Sequence, residues 1–485
     1  MQLSLLDIVA IILYLMGVAW LGIWSRKSQK TTRDYFLGSK VIPWWAMLLS
    51  IVATETSALT FIGVPAIAYR SDLTFLQLSF GYIIARTIIS FTLLIKYYSL
   101  DVTTAYGYLT HRFGPEVKNL TSLIFLIVQT LGIGVRVYAG ALVVTVITGW
   151  PLVLCIAILC GVTIFYTILG GMKAVIWADV MQASVLFMGG IISATMLIYK
   201  IPFSFHEFLS MPEISQKLSI LNFSFSQSIP YTFWAGVIGG TFFGMASHGT
   251  DQLMVQRLLT CNTLKQSQRA LIISGFFISL QFFLFLMVGV LLFCFYHLLP
   301  HSGETLPTNP DQIFPYFITH ELPRGLSGLV IAGVLSGAMS TLSGALNAFS
   351  ATTITEFYIP YINKNQSPER LLFLSRWVTG LWGIGIIGIA YMARNWGSVL
   401  EAGLTIASFF YGGMLGVFLL GLFFPRIVTR DALVGIVAGV LIVVLVAAYT
   451  TVAWPWYALI GSSVTIMTAI ISSYFLPKPV EIQNI

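Results

Sequence analysis

The feature that most constrains this chain is a run of apolar segments, each long enough to cross a bilayer, that recurs along the whole sequence with short loops between. A span of about 20 apolar residues closes its backbone hydrogen bonds internally as a helix, the one open structure that hydrocarbon tolerates. The strict alternation of a membrane barrel is absent. Only 9% of the residues are charged and 57% are hydrophobic, against about 25% charged in soluble domains. No single water-facing fold could bury that much apolar surface. The sequence therefore predicts an all-α polytopic membrane protein of about 13 spans, at 5–25, 43–69, 73–97, 119–148, 150–169, 174–199, 231–250, 269–298, 326–357, 371–393, 402–424, 432–453 and 455–476.

The net charge of +7 must be placed on the two sides of the membrane before it suggests a partner. With the N-terminus outside and the C-terminus cytoplasmic, 17 of the 25 Lys and Arg residues fall at cytoplasmic ends, including Arg26, Lys27, Lys30 and Arg33. Five fall outside: Arg70, Lys200, Lys217, Arg324 and Arg394. Positive charge gathers on the cytoplasmic side of membrane proteins, so the surplus sets orientation and implies no nucleic acid. The first span lacks the positive start of a signal peptide and is expected to remain. The protein is expected in the plasma (inner) membrane, with no appended soluble domain. Two longer external loops, 200–230 and 299–325, could form surface helices or a lid. The four cysteines show no CxxC spacing, and no cofactor other than a coupling ion is indicated.

Two spans are interrupted. Residues 51–69, "IVATETSALTFIGVPAIAY", hold Glu55 and are broken by Gly63 and Pro65; residues 235–252, "AGVIGGTFFGMASHGTDQ", hold Gly236, Gly239, Gly240 and Gly244. They lie five spans apart, as in transporters built from inverted repeats, although transmembrane helices are also simply rich in Gly and Pro. The halves would be 43–200 and 231–425. An extra span and basic loop (1–42) precede them, an external loop (201–230) joins them, and two spans with a short tail (426–485) follow. In the ninth span Ser336, Ser340, Ser343 and Asn347 recur at spacings of four, three and four, one stripe of neutral oxygens along a helix with Thr341 beside it. Such oxygens suit a small hard cation held weakly; the bland alternative is a small-residue packing stripe.

Ionisable groups inside a membrane are functional candidates by default. The candidate pocket draws on Glu55, Ser57, Thr60, Gln77, Ser79, Arg136 and Tyr138, with His248 below the seventh-span glycines as a hydrogen-bonded structural residue. Either Arg86 or Arg136 could neutralise Glu55, or Glu55 could meet the solute. A guanidinium matches a carboxylate bidentately, so a monocarboxylate or sugar acid is the first choice of solute. A neutral sugar, polyol or amino acid is second.

Several motifs in order resemble the sodium:solute symporter family: "ATETSALTFIGVPAIAY", "TAYGYLTHRFG" (104–114), "YTILGGMKAVIWADVMQ" (166–182), "DQIFPYFITHELPRGLSGLVIAG" (311–333) and the serine stripe. The third is similar to the branch of iodide, vitamin and monocarboxylate carriers. The resemblance implies a five-plus-five inverted repeat of the leucine-transporter type and coupled sodium entry. It implies a sodium site of the Ala53, Thr56 and Gly337 carbonyls with the Ser340 and Thr341 hydroxyls, and a second sodium at Asp179, Ser340 and Ser343. Gly344 stands where some two-sodium members have another serine, so one sodium is expected, with two possible. Asp179 could instead be a gate paired with a cytoplasmic-side cation, and Lys173, Asp251 and Arg257 are expected near the inner surface in structural or gating roles. The chain is thus expected to be a secondary active transporter, a monomer in the lipid bilayer that couples sodium to a small-molecule solute by alternating access. It is not expected to be an enzyme. A channel, a transport-derived receptor and an intramembrane hydrolase are the competing classes, the last lacking any nucleophile-elbow pattern.

Overall fold

The computed structural model describes residues 3–299, 306–395 and 399–475, the side chains at 395 and 399–409 excepted. Residues 300–305 of the second external loop and the C-terminal tail from 476 lie outside the described residues. The described chain is helical, with one isolated bridge between Ile42 and Cys261 and no strand.

α1 (Leu5–Arg26) starts at Ser4, which exchanges hydrogen bonds with Asp7 in a capping box. The other Asp7 oxygen accepts from the amides of Gly325 and Gly328 and the Ser327 hydroxyl, at 2.7, 2.9 and 2.6 Å. This carboxylate fixes the first span to the start of α10 (Leu326–Thr352).

The second span is a bent pair, α2 (Trp44–Glu55) and α3 (Ala58–Arg70), meeting at 66°. The bend is not at Gly63 and Pro65, both of which lie inside a continuous α3. It falls at Thr56 and Ser57, which are extended. Thr56 Oγ1 donates to Val52 O at 2.9 Å and accepts from Gln281 Nε2 at 2.6 Å. Tertiary contacts hold the break open where no local helix breaker stands.

α4 (Leu78–Phe91) and α5 (Pro115–Thr148) follow. α6 (Leu152–Lys200) runs for 49 residues, and at about 1.5 Å per residue that is more than two bilayer crossings. Gly171, at φ +53° and ψ −150°, divides it. A Cβ there would lie 2.5 Å from Tyr35 O, so only glycine supplies both the turn and the room. In the seventh span the glycines do not unwind the backbone: Ala235–Gly239 is a π-turn that continues into α7 (Gly240–Gly249). They let α4 approach, since a Cβ on Gly81 would lie 2.3 Å from Gly236 O. The interruption comes later, at Thr250 and Asp251, before α8 (Gln252–Leu258).

α9 (Leu264–Phe293), α10, α11 (Pro368–Met392), α12 (Val399–Phe423), α13 (Thr429–Tyr449) and α14 (Tyr457–Phe475) complete the bundle. Among the described residues nine helices are long and apolar enough to cross a membrane, ten if the bent pair is one span. The figure of 13 is not reached on that measure. The differences fall at α6, which merges two expected spans, at the divided seventh span, and at α12, whose apolar described part is Phe410–Phe423. Burial orders the bundle: 94% of the apolar window of the span containing α10 is buried, against 28% for α1, α11 and α13. The small residues of α10 allow neighbours to pack on every side. Outer helices present Leu13, Trp20, Ile384 and Leu441, an apolar surface suited to hydrocarbon.

In the first external loop Phe205–Ser210 and Pro212–Lys217 form short helices, and the Lys217 amine donates to Ala68 O, Tyr69 O and Ser71 O at 3.2, 2.7 and 3.0 Å. A cation on the last carbonyls of α3 complements that helix end.

Candidate functional site

The break in the second span rests on the centre of α10. A Cβ at Gly337 would lie 2.8 Å from Ala58 N and 3.0 Å from Thr56 O, so glycine permits the contact. One turn on, Thr341 Oγ1 donates to Thr54 O at 3.2 Å and to Gly337 O at 3.1 Å, and Ser340 Oγ lies 3.3 Å from Thr54 Oγ1. Thr56, Ser57 and Thr60 are past the last helical bond of α2, Thr56 N to Val52 O, and the next amide bonds run from Thr60 and Phe61 to Ser57 O. No amide among the described loop and cap bonds donates to the Ala53 or Thr56 carbonyl. Thr56, Gly337, Ser340 and Thr341 are thus brought together, with Ala53 buried beside them at the end of α2. The set is uncharged oxygen, a donor chemistry for a small hard cation. Among the described residues no group of three or more His, Cys, Asp or Glu forms a metal cluster.

Beside the break lies a cavity of about 150 Å³. Its polar lining includes Glu55, Ser57 and Thr60 of the second span, Arg136 of α5, Ser247 and His248 of α7, Asp251 and Tyr411, and its aromatic lining includes Phe75, Phe243, Phe282 and Trp454. Of the seven sequence-predicted pocket residues, Glu55, Ser57, Thr60 and Arg136 line the cavity. Gln77, Ser79 and Tyr138 are buried outside its wall. Gln77 donates to Thr74 O and Tyr231 O, at 3.0 and 3.1 Å, and accepts from Asn222 N at 3.0 Å; Ser79 Oγ donates to Leu76 O at 2.7 Å. They brace the third span and the external loop.

Glu55 pairs with Arg86, whose side chain is fully buried. Arg86 Nη2 also lies 3.1 Å from His248 Nε2, and His248 Nδ1 lies 2.8 Å from Ser247 Oγ. His248 Nε2 also lies 3.6 Å from the Glu55 carboxylate, so the three side chains form one cluster. Arg136, by contrast, has no hydrogen bond or ion pair among the described residues, while it faces the cavity. Asp251, expected near the inner surface, lies in the cavity wall: its Oδ2 accepts from Gln129 Nε2 and from Tyr411 OH at 3.0 Å, and its Oδ1 caps α8 at Leu253 N, 2.9 Å. The site therefore has one carboxylate paired with Arg86 and one held by hydrogen bonds, with Arg136 in the same cavity wall.

The family model for sodium:solute symporters matches residues 35–439. The chain belongs to the sodium:solute symporter family. It is 31% identical over 417 residues to the sodium-coupled monocarboxylate transporter 1 of Xenopus laevis, covering 85% of this chain and 66% of that protein. It is 29% identical over 491 residues to the sodium/sialic acid symporter of Aliivibrio fischeri, covering 99% and 94%. The chain spans about two thirds of the length of the animal relatives it matches. Among solved structures, a sodium-coupled sialic acid symporter, held substrate-bound and outward-open with a novel sodium site, superposes with a TM-score of 0.89 at 27% identity, over 98% of both chains. A nucleobase-cation-symport-1 transporter shares the fold alone, with a TM-score of 0.56 at 15% identity. The family and these relatives are transporters, not enzymes, and the all-helical membrane fold expected from the sequence agrees with this symporter architecture.

Sequence reasoning missed several residues that shape the site. Gln281, which donates to the Thr56 hydroxyl, is the one amide side chain within "FFISLQFFLF" (276–285), and that was a usable signal. Tyr411, Phe243, Phe282 and Trp454 are aromatic residues in aromatic-rich spans and carried no distinguishing pattern.

Proposed function

We propose that this chain is a sodium-coupled symporter that carries a small carboxylate, such as a monocarboxylate or a sugar acid, into the cell by alternating access. One juxtaposition carries the reading: Arg136, without a hydrogen-bond or ion-pair partner among the described residues and within the field of Asp251, faces a cavity that adjoins the break of the second span on Gly337 and Thr341. The Ala53, Thr56 and Gly337 carbonyls and the Ser340 and Thr341 hydroxyls hold the sodium. Arg136 takes the solute carboxylate, helped by the Ser57 and Thr60 hydroxyls, and Glu55 fixes Arg86 and balances its charge. Gln77, Ser79 and Tyr138 act one layer behind. Glu55 and Asp251 of the cavity wall are balanced by Arg136 of the same wall and by Arg86, which pairs with Glu55, so sodium and a monoanion enter as a neutral pair. The relatives that carry monocarboxylates and sialic acids support a carboxylate solute.

The halves 43–200 and 231–425 rock about this site, with the extra span of 1–42 and the spans of 426–485 outside the moving core. The chain works as a monomer in the plasma membrane, its N-terminus outside and its C-terminus cytoplasmic, as its Lys and Arg distribution favours. Reconstituted into proteoliposomes, it should accumulate labelled carboxylates only under an inward sodium gradient. Equal uptake without that gradient would overturn the proposal.

A further inference from the structure

Asp179 of α6 is completely buried beside Ser50 and Ser340. A carboxylate there needs a proton or a cation. Hydroxyls donate to both of its oxygens, Ser340 Oγ to Oδ1 and Ser50 Oγ to Oδ2, each at 2.5 Å. An ionised carboxylate ringed by hydroxyls is a cation site, and a cation is already there. Arg257 of α8, with no exposed side-chain surface, donates from Nη2 to Asp179 Oδ2 at 3.1 Å. Its Nε donates to Ser50 Oγ at 3.0 Å and its Nη1 to Leu253 O at 2.7 Å. The guanidinium fits because residue 344 is glycine: a Cβ there would lie 2.2 Å from Nη2 and 2.4 Å from Nη1. Ser343, the remaining hydroxyl of the stripe here, turns back to Ser340 O at 3.0 Å.

We infer that Arg257 is a tethered cation that occupies the Asp179 pocket in place of a mobile ion, so that each transport cycle carries a single sodium. This rests on the symport reading above. Arg257 is a positioning residue: through Asp179 it fixes Ser340, whose hydroxyl faces both the carboxylate and the ion site. A pocket emptied of the guanidinium would expose an anionic set of Asp179, Ser50 and Ser340 to sodium.

The test is equilibrium binding of radioactive sodium to the purified full chain in nanodiscs, without solute, alongside the thermal unfolding midpoint. The wild-type protein should bind one sodium per chain with a Hill coefficient of about one. Arg257→Gln should bind a second sodium, raising the coefficient toward about two, and Arg257→Lys should restore single occupancy. Gly344→Ser, which displaces the guanidinium sterically, should act like Arg257→Gln. Two sodium ions on the wild-type protein would overturn the inference, as would single, unaltered binding in both the Gln and Ser variants with normal melting. A wild-type protein that bound no sodium would remove the symport reading itself.

Discussion

Two arginines lie close to one cavity, and their partners separate their roles. Arg86 is buried with Glu55 and His248; Arg136 faces the cavity without a hydrogen bond or ion pair among the described residues. A charge-assisted hydrogen bond contributes about 1.5–3 kcal/mol, so Arg136→Gln should raise the solute KM roughly 10- to 100-fold and leave sodium binding unchanged. Uptake kinetics at saturating sodium, with sodium binding measured separately, check this. Glu55→Gln should behave differently. Breaking a buried pair leaves an uncompensated charge and costs about 3–5 kcal/mol, so the variant should melt lower in detergent, and Glu55→Gln with Arg86→Gln should recover part of the loss. A Glu55→Gln protein of normal stability but altered solute preference would return Glu55 to the solute. The sequence marked Glu55, Arg86 and Arg136 as functional because each is expensive in hydrocarbon. It could not choose the pair, since the three residues come from different spans and the rotation of each span about its axis has no local signal.

At the scale of elements, the broken helices were legible and their breaking points were not. Gly63 and Pro65 drew attention to the second span, and the glycines from Gly236 to Gly244 to the seventh, yet the backbone opens at Thr56–Ser57 and at Thr250–Asp251. Local breakers report where a helix is weak. Where it parts depends on partners from other spans, here Gln281, Thr341 and Gly337. The serine stripe forms a single helix, but its residues divide in space: Ser340 meets Thr54 and Asp179, whereas Asn347 accepts from Gln256 on α8 at 2.7 Å. Gly337→Ala would press a methyl against the backbone at Ser57 and Ala58, which cannot yield like a side chain, and overpacking of this kind costs about 1–3 kcal/mol. The variant should lose sodium-dependent thermal stabilisation. Gly132→Ala on α5, where a Cβ meets nothing within 4 Å, should leave it intact. Ser340→Ala and Thr341→Ala should each weaken sodium dependence of uptake while folding is retained, and unchanged sodium dependence in both would remove them from the site.

For the whole molecule, the apolar spans, together with the uneven Lys and Arg distribution, identified a helical membrane bundle because both follow directly from the bilayer as solvent. The number of spans is less direct: one 49-residue helix divided only by Gly171 and two short helices in the seventh span show that bilayer crossings and helices need not correspond one to one. Charge accounting across the whole cycle gives a last prediction. Moving one charge through about 100 mV releases roughly 2.3 kcal/mol, enough for about fortyfold accumulation. That driving force is present only if the loaded carrier moves net charge. With Arg257 fixed in the protein, one sodium and one monocarboxylate cancel, and the sodium concentration gradient alone drives uptake. In proteoliposomes holding a fixed sodium gradient, a potassium diffusion potential of about 100 mV should therefore change carboxylate accumulation by less than about twofold. A change of the order of fortyfold would mean either a neutral solute or a second sodium, and the sodium-to-solute flux ratio separates the two: near one for the neutral solute, near two for the additional ion.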